Sequence, residues 1–195
     1  MKKTDILMAG VGGQGTILAG NILAQVGLKL GYDVKKSEVH GMAQRGGTVE
    51  SHVRWGEKVY APLIEEGHAD YLLGFEMLEA ARWPIYLQEG SIALLNRYRI
   101  PPPSVNLGKA KYPSEKEVES ILKAAGGRVI WVDGTGTAEK LGNPAAAGVV
   151  LLGVLSKMLG GAEEVWLDVI GSLVPGKFLE LNEKAFLAGR EFNVA

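Results

Sequence analysis

The sequence predicts an α/β fold in one domain spanning residues 1–195: three layers, with a mostly parallel sheet carrying helices on both faces. Three observations carry this. Over residues 4–39 an apolar run, a glycine turn, a helix-patterned segment and a second strand-like run follow one another, as in a βαβ unit. The runs at 69–74, 91–95 and 128–133 suit strands buried on both faces. With 47% hydrophobic and 22% charged residues, the chain has the composition of a globular protein with a proper core.

The elements follow in order. Residues 4–9, TDILMA, form a first buried strand. Residues 14–30 space their apolar side chains as a helix does, and Gly31 stops that helix. Residues 33–39 make a second strand, opening a parallel sheet. TVESHVR, residues 48–54, alternates strictly: Val49, Ser51 and Val53 face one way, and Thr48, Glu50, His52 and Arg54 the other. The polar set is expected to meet solvent or a polar partner. A strand at 57–60 would pair with it through a turn at Gly56. Strands at 69–74 and 91–95 flank a helix at 76–88. Three consecutive prolines in RIPPPSVNLGKAKYP predict a surface crossover with a short strand at 104–107. A helix at 114–125 and a strand at 128–133 follow. Asn143 and Pro144 are the N-cap and first position of a helix that is apolar on all sides, hence buried. Two last helices are expected near 163–171 and 176–189.

Composition excludes several functions. A formal net charge of −1 argues against a nucleic-acid footprint or an electrostatic membrane anchor. The chain has no cysteine, hence no thiol nucleophile and no ligand for an iron–sulfur cluster. That composition suits the cytoplasm. The opening MKK and ILMAG imitate a signal peptide, but Asp5 interrupts the apolar stretch. The apolar run at 144–159 is too short for a bilayer, which needs about 20 residues.

Two stretches carry chemistry. GVGGQG, residues 10–15, fits G-x-G-x-x-G between a strand and a helix, where glycines and a helix N-terminus can receive a phosphate. Gly12, Gly13, Gln14 and Gly15 are the candidate contacts, and Glu38 is the candidate ribose-binding acid of a dinucleotide site. The triphosphate-loop reading lacks its lysine. Close packing of strand against helix is the remaining use of these glycines. EVHGMAQRGG, residues 38–47, gathers Glu38, His40, Gln44 and Arg45 at the end of the second strand, where open α/β sheets bind ligands. Arg45 offers a fork for a carboxylate or phosphate, and His40 an acid–base group. A metal held by His40 and His52 with Glu38 or Glu50 matches no short ligand spacing. No G-x-S-x-G is present.

GVGGQGTILAGNILA (10–24), SEVHGMAQRGGTVESHVRWG (37–56) and GNPAAAGVVLLG (142–153) together resemble the gamma-type subunit or domain of the 2-oxoacid:ferredoxin oxidoreductases, over nearly the whole chain. The loop SEVHGMAQRGG is most similar to the indolepyruvate branch. The resemblance implies oxidative decarboxylation of an aryl 2-oxoacid with coenzyme A, giving an acyl-CoA, carbon dioxide and reduced ferredoxin. It implies thiamine diphosphate and iron–sulfur clusters in a large alpha subunit, coenzyme A as cosubstrate, and ferredoxin reached through the complex. The small subunit then carries no covalent catalyst and no metal, and is expected to be inactive alone, with self-association open to it. His40, Gln44 and Arg45 map onto the family's loop toward the large subunit or the coenzyme A path. The segment VDGTG with the lone Asn143 lacks the separation of a thiamine diphosphate motif. The competing reading is a stand-alone NAD(P)-dependent oxidoreductase or a nucleotide- or coenzyme A-binding module.

Overall fold

The computed structural model describes residues 3–40 and 47–194. Among them six strands form one sheet: β1 (Thr4–Val11), β2 (Asp33–His40), β3 (Thr48–Gly56), β4 (Ala69–Gly74), β5 (Leu87–Asn96) and β6 (Arg128–Val132). Their order is β2-β3-β1-β4-β5-β6. β1, β4, β5 and β6 run parallel; β3 runs antiparallel to both of its neighbours. The helices are α1 (Thr16–Lys29), α2 (Met77–Ala80), α3 (Pro103–Asn106), α4 (Glu115–Ala124), α5 (Gly134–Lys140), α6 (Ala147–Leu159), α7 (Glu163–Leu173) and α8 (Leu179–Glu191). The expected mostly parallel α/β sheet with helices on both faces is borne out.

Two cores sandwich the sheet. On one face Ile6, Met8, Val53, Trp55 and Leu94 meet α1, α6, α7 and α8 through Ile22, Leu23, Val150, Trp166 and Phe186. On the other face Leu7, Ala9, Leu72 and Leu95 meet Met77 and Ala80 of α2 and Val118 and Leu122 of α4. α6 is buried along most of its length, as its unbroken apolar sequence requires. It crosses α8 where two glycines touch. A Cβ at Gly153 would stand 2.1 Å from the Phe186 carbonyl oxygen, and one at Gly189 would stand 2.1 Å from that of Val150.

Several expectations need correction. β2 does not lie beside β1, because β3 pairs with all eight residues of β1, from Thr4↔Trp55 to Val11↔Thr48, and separates them. The polar face of β3 meets neither solvent nor a paired strand at 57–60. Arg54 donates to both carboxylate oxygens of Asp5 at 2.8 and 3.1 Å and to the carbonyls of Ala61 and Leu63 at 3.1 and 2.7 Å. The His52 Nδ1 accepts the Ile64 N–H at 3.2 Å. Segment 57–66 therefore folds back over this face instead of extending. The helix expected at 76–88 is one turn, α2, then a 3-10 turn at Pro84–Tyr86, because Pro84 cannot donate within a helix. β5 consequently starts at Leu87. Residues 104–107 fall in and just after the single helical turn α3, which begins on Pro103, where the missing N–H costs nothing. The helix after Asn143 opens as a 3-10 turn, Pro144–Ala146, with the Asn143 side chain capping it. α5 was not expected. Asp133 caps it by accepting the Gly136 N–H at 3.0 Å. No helix among the described residues is long and apolar enough to cross a membrane.

Candidate functional site

The connections leave β1 in two directions. β1–α1–β2 goes one way with its helix on one face; β4, β5 and β6 go the other way with α2 and α4 on the opposite face. Right-handed crossovers to either side of β1 force this split, and it opens a crevice beyond the C-terminal ends of β1 and β4. A cavity of about 300 Å³ lies there. Gly12, Gly13 and Gln14 line it from the loop after β1, and Phe75 from the end of β4. Asn96, Tyr98 and Ile100 come from the end of β5, Thr135 from the start of α5, and Pro144, Ala145 and Ala147 from the approach to α6.

A hydrogen-bond network holds the strand ends together. The Gln14 Oε1 accepts the Val11 N–H at 2.7 Å, and its Nε2 donates to the Phe75 carbonyl at 3.1 Å. Asn96, 2% exposed, donates to the same carbonyl at 3.1 Å and to the Thr135 hydroxyl at 2.9 Å. Its Oδ1 accepts the N–H groups of Gly134 and Thr135 at 3.1 and 3.2 Å. Two side-chain amides thus tie β1, β4, β5 and the first turn of α5 to one carbonyl. Every residue lining the cavity is uncharged, so attraction for an anion there must come from backbone dipoles. α1 supplies such dipoles: Gly15 caps it in the left-handed conformation at φ 81°, and no side chain makes a capping hydrogen bond to its first turn.

The predicted residues divide. Gly12, Gly13 and Gln14 line the cavity, and Gly15 sits behind them as the helix cap. Both amide ends of Gln14 are engaged, so its side chain braces the loop; its N–H donates to the Val11 carbonyl at 3.2 Å, and that of Gly12 to the Gly47 carbonyl at 2.9 Å. Glu38 does not reach the glycine loop. It pairs with Ser51, which pairs with Met8, so it lies two strand spacings, about 10 Å, to the side of β1. There Glu38 accepts from Lys36, which also donates to Asn21 of α1 at 2.6 Å. The ribose-binding geometry of a dinucleotide fold needs the acid on the strand next to β1, and the inserted β3 removes it. His40 ends β2. Gln44 and Arg45 lie outside the described residues.

Glu50 and His52, the other half of the metal reading, are buried, with the His52 Nε2 3.6 Å from the Glu50 carboxylate. Burial lowers the His52 pKa, and the Glu50 charge opposes that shift. Among the described residues no three metal-ligating side chains gather. Asp133 and Asn143, the two residues weighed for a thiamine diphosphate motif, each cap a helical turn instead. The sequence reading missed Phe75, Asn96, Tyr98 and Thr135. A polar Asn96 closing the apolar run SIALL was the available signal, since the C-terminal end of a parallel strand is where such sheets bind ligands.

Comparison with known proteins agrees with this architecture. Residues 5–192 match the family model of pyruvate ferredoxin/flavodoxin oxidoreductase. The chain is 41% identical to indolepyruvate oxidoreductase subunit IorB of Thermococcus kodakarensis, covering 97% of this chain and 95% of that one. It is 42% identical to the subunit of the same name from Pyrococcus horikoshii, again over 97% and 95%. The fold superposes on the gamma subunit of keto/oxoacid ferredoxin oxidoreductase from Geobacter sulfurreducens with a TM-score of 0.70 and 28% identity, over 96% of each chain. The resemblance drawn from the three sequence segments is borne out, and the chain belongs to the pyruvate ferredoxin/flavodoxin oxidoreductase family.

Proposed function

We propose that this chain, acting as one domain, is the small subunit of an indolepyruvate:ferredoxin oxidoreductase. The whole enzyme would convert an aryl 2-oxoacid and coenzyme A to an acyl-CoA and carbon dioxide, and the two electrons released would reduce ferredoxin. The observation that carries the reading is identity above 40%, end to end, with two subunits named for indolepyruvate oxidation.

Thiamine diphosphate would supply the carbanion chemistry and iron–sulfur clusters the electron path, both from the large subunit. This chain's own residues do not fit either group. It has no cysteine, and its cavity has no carboxylate to hold a metal–diphosphate. The cavity does fit part of coenzyme A. The N–H groups of Gly12 and Gln14 already donate to the Gly47 and Val11 carbonyls, so those of Gly13 and Gly15 would approach a phosphate, and the apolar walls at Phe75, Ile100 and Ala147 suit a pantetheine arm. Glu38, His40, Gln44 and Arg45 would then face the large subunit or the coenzyme A path, in the cytoplasm.

The test is coexpression with the large subunit and an assay of indolepyruvate-dependent ferredoxin reduction. Activity is expected only with both chains present. Full activity from the large subunit alone would refute the requirement for this chain. Calorimetry of the isolated chain with coenzyme A tests the cavity separately.

A further inference from the structure

We propose that the crossover between β5 and α4 is a preformed docking knob for the large subunit, an inference that rests on the subunit reading above. Residues 97–113 form the knob. Its base is fastened by Glu76, which is 0% exposed. One carboxylate oxygen accepts the Ile100 N–H at 3.1 Å and the Tyr112 hydroxyl; the other accepts the Glu79 N–H at 2.8 Å. The Met77 N–H donates to the Tyr98 carbonyl at 3.2 Å. The tip is fastened to itself. Three prolines lead into α3, the Ser104 carbonyl accepts the N–H groups of Lys109 and Ala110 at 2.8 and 3.1 Å, and the Asn106 amide donates to the Pro101 carbonyl at 3.2 Å.

A loop ordered in this way has already lost the conformational entropy that binding would otherwise cost. Yet it holds Leu107 69% exposed at its tip, where the side chain contributes little to the fold. Arg97, Arg99, Lys109 and Lys111 flank it along the crossover, with no acidic residue from 97 to 114, in a chain whose net charge is −1. Arg97 faces Glu115 at 3.6 Å and Arg99 lies over the Tyr112 ring; both lysines are exposed.

A rigid apolar tip in a basic collar fits an apolar socket ringed by carboxylates. A second copy of this chain fits poorly, because a twofold contact would set one basic collar against the other. Tyr98 and Ile100 belong to both the knob and the cavity wall, so a protein seated on the knob also covers the cavity mouth. That geometry favours the subunit whose reaction would use the cavity's ligand.

The experiment measures binding of the full-length chain to the purified large subunit at several salt concentrations. Leu107→Asp should weaken binding at least about tenfold. Lys109→Glu with Lys111→Glu should slow association and flatten its salt dependence. Tyr60→Asp, at a still more exposed residue just after β3, should bind as the parent does. Unchanged binding by both knob variants, with parental circular dichroism, overturns the proposal. Loss of self-association in Leu107→Asp with undiminished binding to the large subunit also overturns it, by assigning the knob to a second copy. Failure of the parent chain itself to bind overturns the subunit reading, and the knob with it.

Discussion

Replacing Asn96 by aspartate tests the network that closes the cavity. The change is nearly isosteric and reverses one end of the side chain from donor to acceptor. The Oδ1 end keeps its two N–H donors from Gly134 and Thr135. The other end loses its bond to the Phe75 carbonyl and sets two oxygens against each other at about the 3.1 Å of the lost bond. The Thr135 hydroxyl can reverse and donate, so that contact survives. One lost hydrogen bond costs about 1 kcal/mol, and burying a carboxylate with two backbone donors as its compensation costs about 2 kcal/mol more. For a chain of this length the sum of roughly 3 kcal/mol lowers Tm by about 6–12 °C. The cost has a pH signature. Burial and the facing carbonyl raise the folded pKa of the new carboxyl, because its neutral form can donate to Phe75. The deficit should therefore be smallest below the unfolded carboxylate pKa and grow as pH rises through the folded one. Differential scanning calorimetry of variant and parent at matched pH reads this directly. A variant within about 1 °C of the parent near pH 7.5, a difference of only about 0.3 kcal/mol, would refute the placement of the amide against Phe75.

Other outcomes follow from the same structure. Gly153→Ala puts a methyl group 2.1 Å from the Phe186 carbonyl, so α6 and α8 must separate; a loss of about 3 kcal/mol or more is expected in urea unfolding, and a loss under about 1 kcal/mol would count against the crossing. Glu76→Gln cannot accept from Glu79, Ile100 and Tyr112 together, and should cost about 2–4 kcal/mol, with amide exchange speeding up at Ile100 and Glu79; unchanged exchange would show that the crossover is held by other contacts. His52 is buried with its Nδ1 occupied as an acceptor, and its folded pKa is depressed, chiefly by burial. Its contribution is present above the unfolded value of 6.5 and is lost as pH falls from there toward the lowered folded value. His52→Asn keeps an acceptor for Ile64 and should flatten the stability profile between about pH 7 and 5; an identical slope in both proteins would assign the pH dependence to other groups.

Local signals in the chain reached far into the fold. The glycine loop, the Asn143–Pro144 start and the helix expected at 114–125, which Ser114 opens with a capping box, are decided by neighbours within a few residues, and each stands close to where the sequence put it. Pro84 was also legible as a helix breaker, and the helix expected across it did not survive it. The family, too, was legible, since loops such as 37–47 carry residue choices that packing alone does not demand.

What sequence could not decide was which strands are neighbours. The neighbours of β1 are set by contacts between residues 37 to 65 positions apart, from Val11↔Thr48 to Ile6↔Tyr71, and a period-two pattern is the same whichever strand lies alongside. β3 entered between β1 and β2 because its polar face could be buried whole, with Arg54 answered by Asp5 across the register and by carbonyls of the segment folded over it. Alternation reports only that two faces differ; it does not say that the polar one is wet. That insertion carried Glu38 away from the glycine loop. The cavity likewise exists only in three dimensions, because Gln14, Phe75, Asn96 and Thr135 meet through one shared carbonyl at the point where the crossovers change direction. The sequence determined the elements and the family; the long-range pairing energies of the sheet decided which of their ends converge.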